Sequence, residues 1–131
     1  MSYNVMENTK QYKVGIYIRL SKEDEEKPEY KESESVSNQR NLLMQYLEQN
    51  NLKLEEEYVD DGVSGTSFDR PAFNRLIQDI ENNRINMVIT KDLSRLGRDY
   101  IMSGYYTEQY FPEHRVRYIV ITIFILLFSM S

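Results

Sequence analysis

Two short segments of this chain hold residue types suited to phosphate chemistry. Tyr17-Ile18-Arg19-Leu20-Ser21 puts a hydroxyl nucleophile beside a guanidinium, and Ser94-Arg95-Leu96-Gly97-Arg98-Asp99 puts two more arginines in what reads as a tight turn. Arginine forks match the oxygens of a phosphate, so a serine among arginines points to attack on a phosphodiester. That attack requires loss of the serine proton and stabilisation of the extra negative charge on the phosphoryl oxygens. Arg19, Arg70, Arg95 and Arg98 can supply the stabilisation. For the proton two routes stay open: Asp61 as base or orienting group, or a neighbouring arginine that lowers the serine pKa. A single histidine, His114, argues against a Ser-His hydrolase triad and against a zinc cluster.

The bulk composition bounds the setting. With 131 residues, 40% hydrophobic and 28% charged, the chain fits one soluble globular domain. It has no cysteine, which removes disulfides and thiolate metal sites and agrees with a reducing, cytoplasmic location. The N-terminus lacks the apolar region of a signal peptide. The net charge of -5 argues against strong DNA binding by this domain alone. Most of that charge lies in residues 22–34, where seven acids outnumber three lysines, and this run reads as a solvated loop.

These residues need elements to position them. Residues 1–12 read as a flexible leader. Val14, Ile16, Ile18 and Leu20 alternate with Gly15, Tyr17, Arg19 and Ser21, and a period of two means a strand with Tyr17, Arg19 and Ser21 in a row on one face. From about Ser35 the spacing turns helical, with Val36, Gln39, Leu43, Tyr46 and Leu47 near one stripe and an end near Asn50-Asn51. Residues 52–59 read as a second strand. Residues 60–69 read as a loop marked by Gly62 and Gly65. Pro71 suits the first turn of a helix whose buried stripe is Phe73, Leu76, Ile77 and Ile80 and which Asn82-Asn83 ends. Met87-Val88-Ile89 reads as a buried parallel strand leading into the arginine turn. Residues 100–111 read as a helix stopped by Pro112, and residues 117–123 as a further strand.

Alternating strands and helices predict an α/β domain with a mostly parallel sheet. Ligands of such sheets bind beyond the carboxyl ends of the strands. Ser21 follows the first strand, Ser64 the second, and Arg95 and Arg98 the third, so the polar groups should converge on one edge. Taken singly, each has an ordinary structural explanation as a turn, cap or surface residue; the conjunction of spacing and strand-end placement does not. The chain lacks the phosphate-loop and dinucleotide glycine patterns and the Gly-x-Ser-x-Gly elbow, and the acidic run lacks metal-site spacing.

Four ordered blocks, Tyr17-x-Arg19-x-Ser21, Ser37-Asn38-Gln39-Arg40, Asp61-Gly62-Val63-Ser64-Gly65 leading to Asp69-Arg70-Pro71, and Ser94 to Asp99, resemble the catalytic domain of the serine recombinases, the resolvase/invertase family. The resemblance runs from about Lys13 to Tyr118 and is strongest to the large transposon- and phage-type members. It implies a three-layer resolvase-like domain over residues 13–131, with a central, mostly parallel sheet of four to five strands flanked by helices, whereas the family's separate DNA-binding region is expected to be missing here. It implies Ser21 as the nucleophile on a DNA phosphodiester, giving a 5′-phosphoserine link and a free 3′-hydroxyl, with Arg19, Arg70, Arg95 and Arg98 as phosphate-binding arginines. Tyr17, Gln39, Asp61 and Ser64 match supporting positions. No metal and no cofactor are implied. The implied partners are double-stranded DNA and further copies of the chain, as dimer or tetramer, with no membrane.

Two departures stand out. Small resolvases usually carry an aspartate at the position of Ser94, and Asp92 is not assumed to replace it. The run Ile119 to Phe128 is almost wholly apolar where the family has a loop and a long dimerising helix. A chain cut short or shifted in frame after about Tyr118 is one expectation, and a dimer contact is the other. Two further readings compete with the enzyme: a catalytically silent α/β assembly module that associates with recombinase subunits, and a small phosphate- or nucleotide-binding protein that uses the same arginines.

Overall fold

Four strands form one fully parallel sheet in the order β2-β1-β3-β4, with β1 Val14–Ser21, β2 Leu54–Val63, β3 Met87–Thr90 and β4 Arg117–Val120. The computed structural model describes residues 11–21, 35–63, 70–97 and 100–121, and for Ser21, Gly62, Val63 and Tyr100 the backbone alone. The acidic run, Ser64, Gly65, Asp69, Arg98, Asp99, residues 1–10 of the leader and the apolar run beyond Ile121 lie outside the described residues.

The sheet is covered on both faces. Helix α1, Val36–Gln49, lays Leu43 and Leu47 over Val14, Ile16, Ile18, Met87 and Ile89. Helix α2, Pro71–Glu81, lays Ala72, Phe73, Leu76 and Ile80 over Tyr17, Tyr58 and Val88 on the opposite face, where Tyr110, Phe111 and Val116 join them. This is a three-layer α/β domain. Alternation along β1 explains the split: its even-numbered aliphatic residues face α1, and Tyr17 faces α2. Within the two central strands, residues 14–20 of β1 and all of β3 are buried, as befits parallel strands packed on both sides.

Three helix ends share one device. Asn51, Asn83 and Arg115 adopt positive φ of 55°, 61° and 58°. The amide of the following residue in each case bonds back across the last turn, Leu52 to Leu47 at 2.9 Å, Arg84 to Asp79 at 2.8 Å and Val116 to Phe111 at 2.8 Å. This left-handed cap satisfies otherwise orphaned carbonyls and turns the chain toward the next strand. Asparagine tolerates that conformation better than most residues, which is why the two Asn-Asn pairs mark helix ends.

Several predicted boundaries move: β2 starts at Leu54 rather than at residue 52, β4 ends at Val120 rather than at residue 123, and two further shifts have a clear cause. The loop expected from residue 60 is strand up to Val63, because parallel pairing with β1 continues through Arg19 opposite Asp60, Leu20 opposite Asp61 and Ser21 opposite Val63. Gly62 is the extra residue in that register shift, a bulge that falls where the strands reach the candidate site. The two aspartates read as a turn, yet Asp60 is buried and fully engaged, as described below. The helix expected to stop before Pro112 also continues: α3, Tyr100–Tyr105, passes into a π-helical turn, Tyr106–Tyr110, and a last turn, α4, Phe111–Glu113. Proline has no N–H to give and its ring crowds the carbonyl four residues back in a regular α-helix; the wider π turn just before it relieves both constraints. Residue 12, expected in the leader, is engaged: the Arg117 guanidinium donates to the Tyr12 hydroxyl at 3.3 Å and lies over its ring.

Candidate active site

The carboxyl end of β1 is where three arginines from three elements meet. Arg19 comes from β1 itself. Arg70 is the residue that precedes Pro71 at the start of α2. Arg95 comes from a 3₁₀ turn, Leu93–Arg95, that follows β3 and is capped by the Asp92 carboxylate through the Ser94 amide. Arg19 and Arg95 are 6% and 3% exposed, so two of these cations are nearly removed from water. Burying a guanidinium is costly unless its donors find partners, and here backbone carbonyls take several of them. Arg19 Nη2 donates to the Ser94 carbonyl at 2.7 Å, Arg95 Nη1 to the Arg19 carbonyl at 2.8 Å, and Arg70 to the carbonyls of Arg95 and Leu96 at 2.6 and 2.7 Å. The Arg19 carbonyl also accepts from Gln39 Nε2 at 3.2 Å, which ties α1 to the same point through a fully buried side chain.

Tyr17 and Asp60 organise the other side. The Tyr17 hydroxyl donates to Asp60 Oδ2 at 2.8 Å and accepts from Arg70 Nη2 at 3.1 Å and Nε at 3.3 Å. Asp60 also accepts from the backbone amides of Ala72 at 2.9 Å and Phe73 at 3.0 Å. A carboxylate there satisfies two of the free amides at the start of α2 and meets the positive end of the helix dipole. Burial holds the Tyr17 phenol well above its ordinary value, the Arg70 charge pulls it down and the Asp60 charge pushes it up. Tyr17 is thus a neutral donor at physiological pH, not a proton acceptor.

On the third strand's turn, Asp92 accepts from the Ser94 hydroxyl at 2.5 Å and approaches Arg95 Nη2 at 3.3 Å. Behind it, Thr90 shares a hydrogen bond with the Tyr118 hydroxyl at 2.6 Å and donates to the Asp92 carbonyl at 2.9 Å. Gly97 ends the turn against α3, where a Cβ would sit 2.7 Å from the Met102 Cβ, so no larger residue fits without moving the helix. The buried Ser103 hydroxyl donates to the Gly97 carbonyl at 3.2 Å and fastens α3 to the turn.

Of the residues singled out in the sequence, Tyr17, Arg19, Gln39, Arg70 and Arg95 come together. Asp61 is exposed, one step along the strand from the buried Asp60. Ser21 ends β1 at this edge by its backbone, and Ser64 and Arg98 lie outside the described residues. Among the described residues no cluster of acids and histidines could hold a metal ion, and no helix is long and apolar enough to cross a membrane.

A family model, that of the resolvase N-terminal domain, matches residues 14–123. The chain belongs to the resolvase family. Its fold is close to the N-terminal catalytic domain of TP901-1 integrase, with a TM-score of 0.71 and 28% identity over 90% of this chain and 92% of that one. It is also similar to a resolvase family site-specific recombinase from Streptococcus pneumoniae, with a TM-score of 0.67 and 25% identity over 92% of this chain and 85% of that one. In sequence it is 31% identical over 78 residues to the uncharacterized immunity region protein 3 of Bacillus phage phi105, which covers 60% of this chain and 90% of the phage protein.

Within this resolvase domain, the residue that sequence reading missed is Asp60, while Asp92, noted beside Ser94 and set aside, caps the arginine turn. Asp60 carried a signal: on a strand that continues past Val59, Tyr58 and Asp60 share a face with each other and not with Asp61. Asp92 carried a weaker one, an acid two residues before Ser94 at the end of a strand, the usual place for a turn cap.

Proposed function

We propose that this chain is the catalytic domain of a serine site-specific recombinase, acting on double-stranded DNA as a cytoplasmic dimer or tetramer. In this reading the Ser21 hydroxyl attacks a backbone phosphorus. The Ser21 Oγ–P bond forms as the P–O3′ bond breaks, which leaves a 5′-phosphoserine and a 3′-oxygen that takes up a proton. Reversal by an exchanged 3′ end rejoins the strands, and the ester conserves the bond energy, so no nucleotide cofactor is required. Arg19, Arg95 and Arg98 stabilise the charge on the phosphoryl oxygens. Tyr17, Gln39 and Asp60 hold the arginines, and Asp61 and Ser64 complete the supporting positions.

The observation that carries this reading is the convergence of Arg19, Arg70 and Arg95 at the end of the strand that Ser21 terminates. The net charge of -5 favours the second reading, a silent assembly module that binds DNA weakly. The two separate on a pool of random-sequence duplexes analysed on a denaturing gel. The enzyme forms a detergent-resistant protein–DNA adduct that Ser21→Ala abolishes. An adduct of equal yield in both proteins, or none in either alongside concentration-dependent self-association, sinks the enzymatic reading.

A further inference from the structure

Arg70 commits most of its donors to groups of the protein itself. A guanidinium has five N–H groups. In Arg70, Nε and one Nη2 hydrogen go to the Tyr17 hydroxyl, the other Nη2 hydrogen to the Arg95 carbonyl at 2.6 Å, and one Nη1 hydrogen to the Leu96 carbonyl at 2.7 Å. One N–H remains. A bidentate grip on a phosphate needs two parallel N–H groups, which Arg70 cannot offer without releasing a contact.

The remaining contacts also fix its place. The guanidinium carbon lies 4.1 Å from the centre of the Phe73 ring and 5.4 Å from that of Tyr17, and the residue is half-buried. Phe73 is itself held edge-on by Tyr106 from the π-helical turn, with ring centres 5.0 Å apart. The backbone of Arg70 is anchored because Asp60 caps the helix that starts at the next residue. The side chain is therefore tied to the β1–β2–α2 body through its backbone, Tyr17 and Phe73, and its tip holds the carbonyls of two successive peptides, Arg95–Leu96 and Leu96–Gly97.

We propose that Arg70 is a positioning residue: it is a strut that sets the Arg95–Leu96 peptide, and through it the Arg95 guanidinium, and it is not a ligand of the phosphate. This deepens the recombinase reading and rests on it, since Arg95 matters only if the site receives a phosphate. The strut explains why an arginine sits immediately before Pro71. From there a long side chain with a planar fork spans from the capped helix to the turn, and lysine, whose three donors all sit on one nitrogen, does not reproduce the spread of that fork over two carbonyls and a phenol.

The test is nitrogen-15 NMR of arginine Nε–H groups and backbone amides on the intact chain, as wild type, Arg70→Gln and Arg70→Lys. Without any ligand, Arg70→Gln should shift the Leu96 and Gly97 amides and the Arg95 Nε–H by several line widths, with Arg70→Lys giving a smaller shift in the same direction. Unmoved signals in Arg70→Gln overturn the strut. In wild type titrated with inorganic phosphate, Arg95 or Arg19 should move saturably while Arg70 Nε–H stays within its line width. An Arg70 signal that moves as far as that of Arg95 makes it a ligand and overturns the proposal. If phosphate moves none of the arginines, the phosphate site itself fails, and the ligand-free comparison still decides whether Arg70 is a strut. The far-ultraviolet circular dichroism of Arg70→Lys should match that of wild type, which separates a local shift of the turn from loss of fold.

Discussion

Two neighbouring aspartates on β2 should behave in opposite ways. Asp60 is 2% exposed and accepts three hydrogen bonds, from the Tyr17 hydroxyl and from the amides of Ala72 and Phe73. Asp61 is exposed. Asp60→Ala removes the cap of α2, a loss of about 1 kcal/mol. It also leaves the buried Tyr17 hydroxyl and the helix amides short of an acceptor, at about 1–3 kcal/mol for such a group. Together the loss is about 2–4 kcal/mol, against a total stability of about 5–15 kcal/mol for a domain. Asp60→Asn keeps one carbonyl oxygen and should lose about 2 kcal/mol, since a charged acceptor's bond contributes about 1.5–3 kcal/mol. Asp61→Asn should stay within about 0.5 kcal/mol of wild type, as surface changes do. Urea unfolding followed by circular dichroism measures all three. Equal losses at the two positions, or a loss below about 1 kcal/mol for Asp60→Ala, would refute the account of how α2 and Arg70 are anchored.

Other outcomes follow from the same geometry. Gly97→Ala places a methyl 2.7 Å from the Met102 Cβ and should lower the melting temperature, with a loss of about 1–3 kcal/mol from overpacking; a melting curve that overlays wild type would contradict the close approach of α3 to the turn. Burial holds the phenols of Tyr17, Tyr58 and Tyr118 above their ordinary value. Their folded pKa exceeds the unfolded value of about 10. The stability they confer is thus complete below that pH and is lost as pH rises through the folded values, because the unfolded chain releases protons that the folded one retains. The urea midpoint should fall between pH 9.5 and pH 11.5 (~2 units that bracket the free phenol) with a fraction of the eleven tyrosines resisting ionisation at 295 nm (~the tyrosinate band, read as protons released); a flat midpoint with all tyrosines titrating together would count against their burial.

Much of this site was legible because the strand period is strict. The alternation Val14, Ile16, Ile18 against Tyr17, Arg19 placed the arginine on the correct face of β1, and the helical stripes through Leu43 and Leu47 and through Phe73, Leu76 and Ile80 gave the covering layers. What was not legible depended on partners far apart in sequence. Asp60 looks like a turn residue until the amides of Ala72 and Phe73 and the phenol of Tyr17 are placed around it. Pro112 looks like a stop because local rules hold no term for a π turn that accommodates it. The carbonyls that Arg19, Arg70 and Arg95 hold belong to the backbone, and no residue-type pattern announces them.

The central claim is that Ser21 carries the covalent bond to DNA. The measurement that tests it most directly is mass spectrometry of the protein–DNA adduct after nuclease and protease digestion. The account predicts a residual nucleotide phosphate on the peptide that contains Ser21. A phosphate on a peptide containing Ser64 or Ser94 instead, with the Ser21 peptide unmodified, would contradict it.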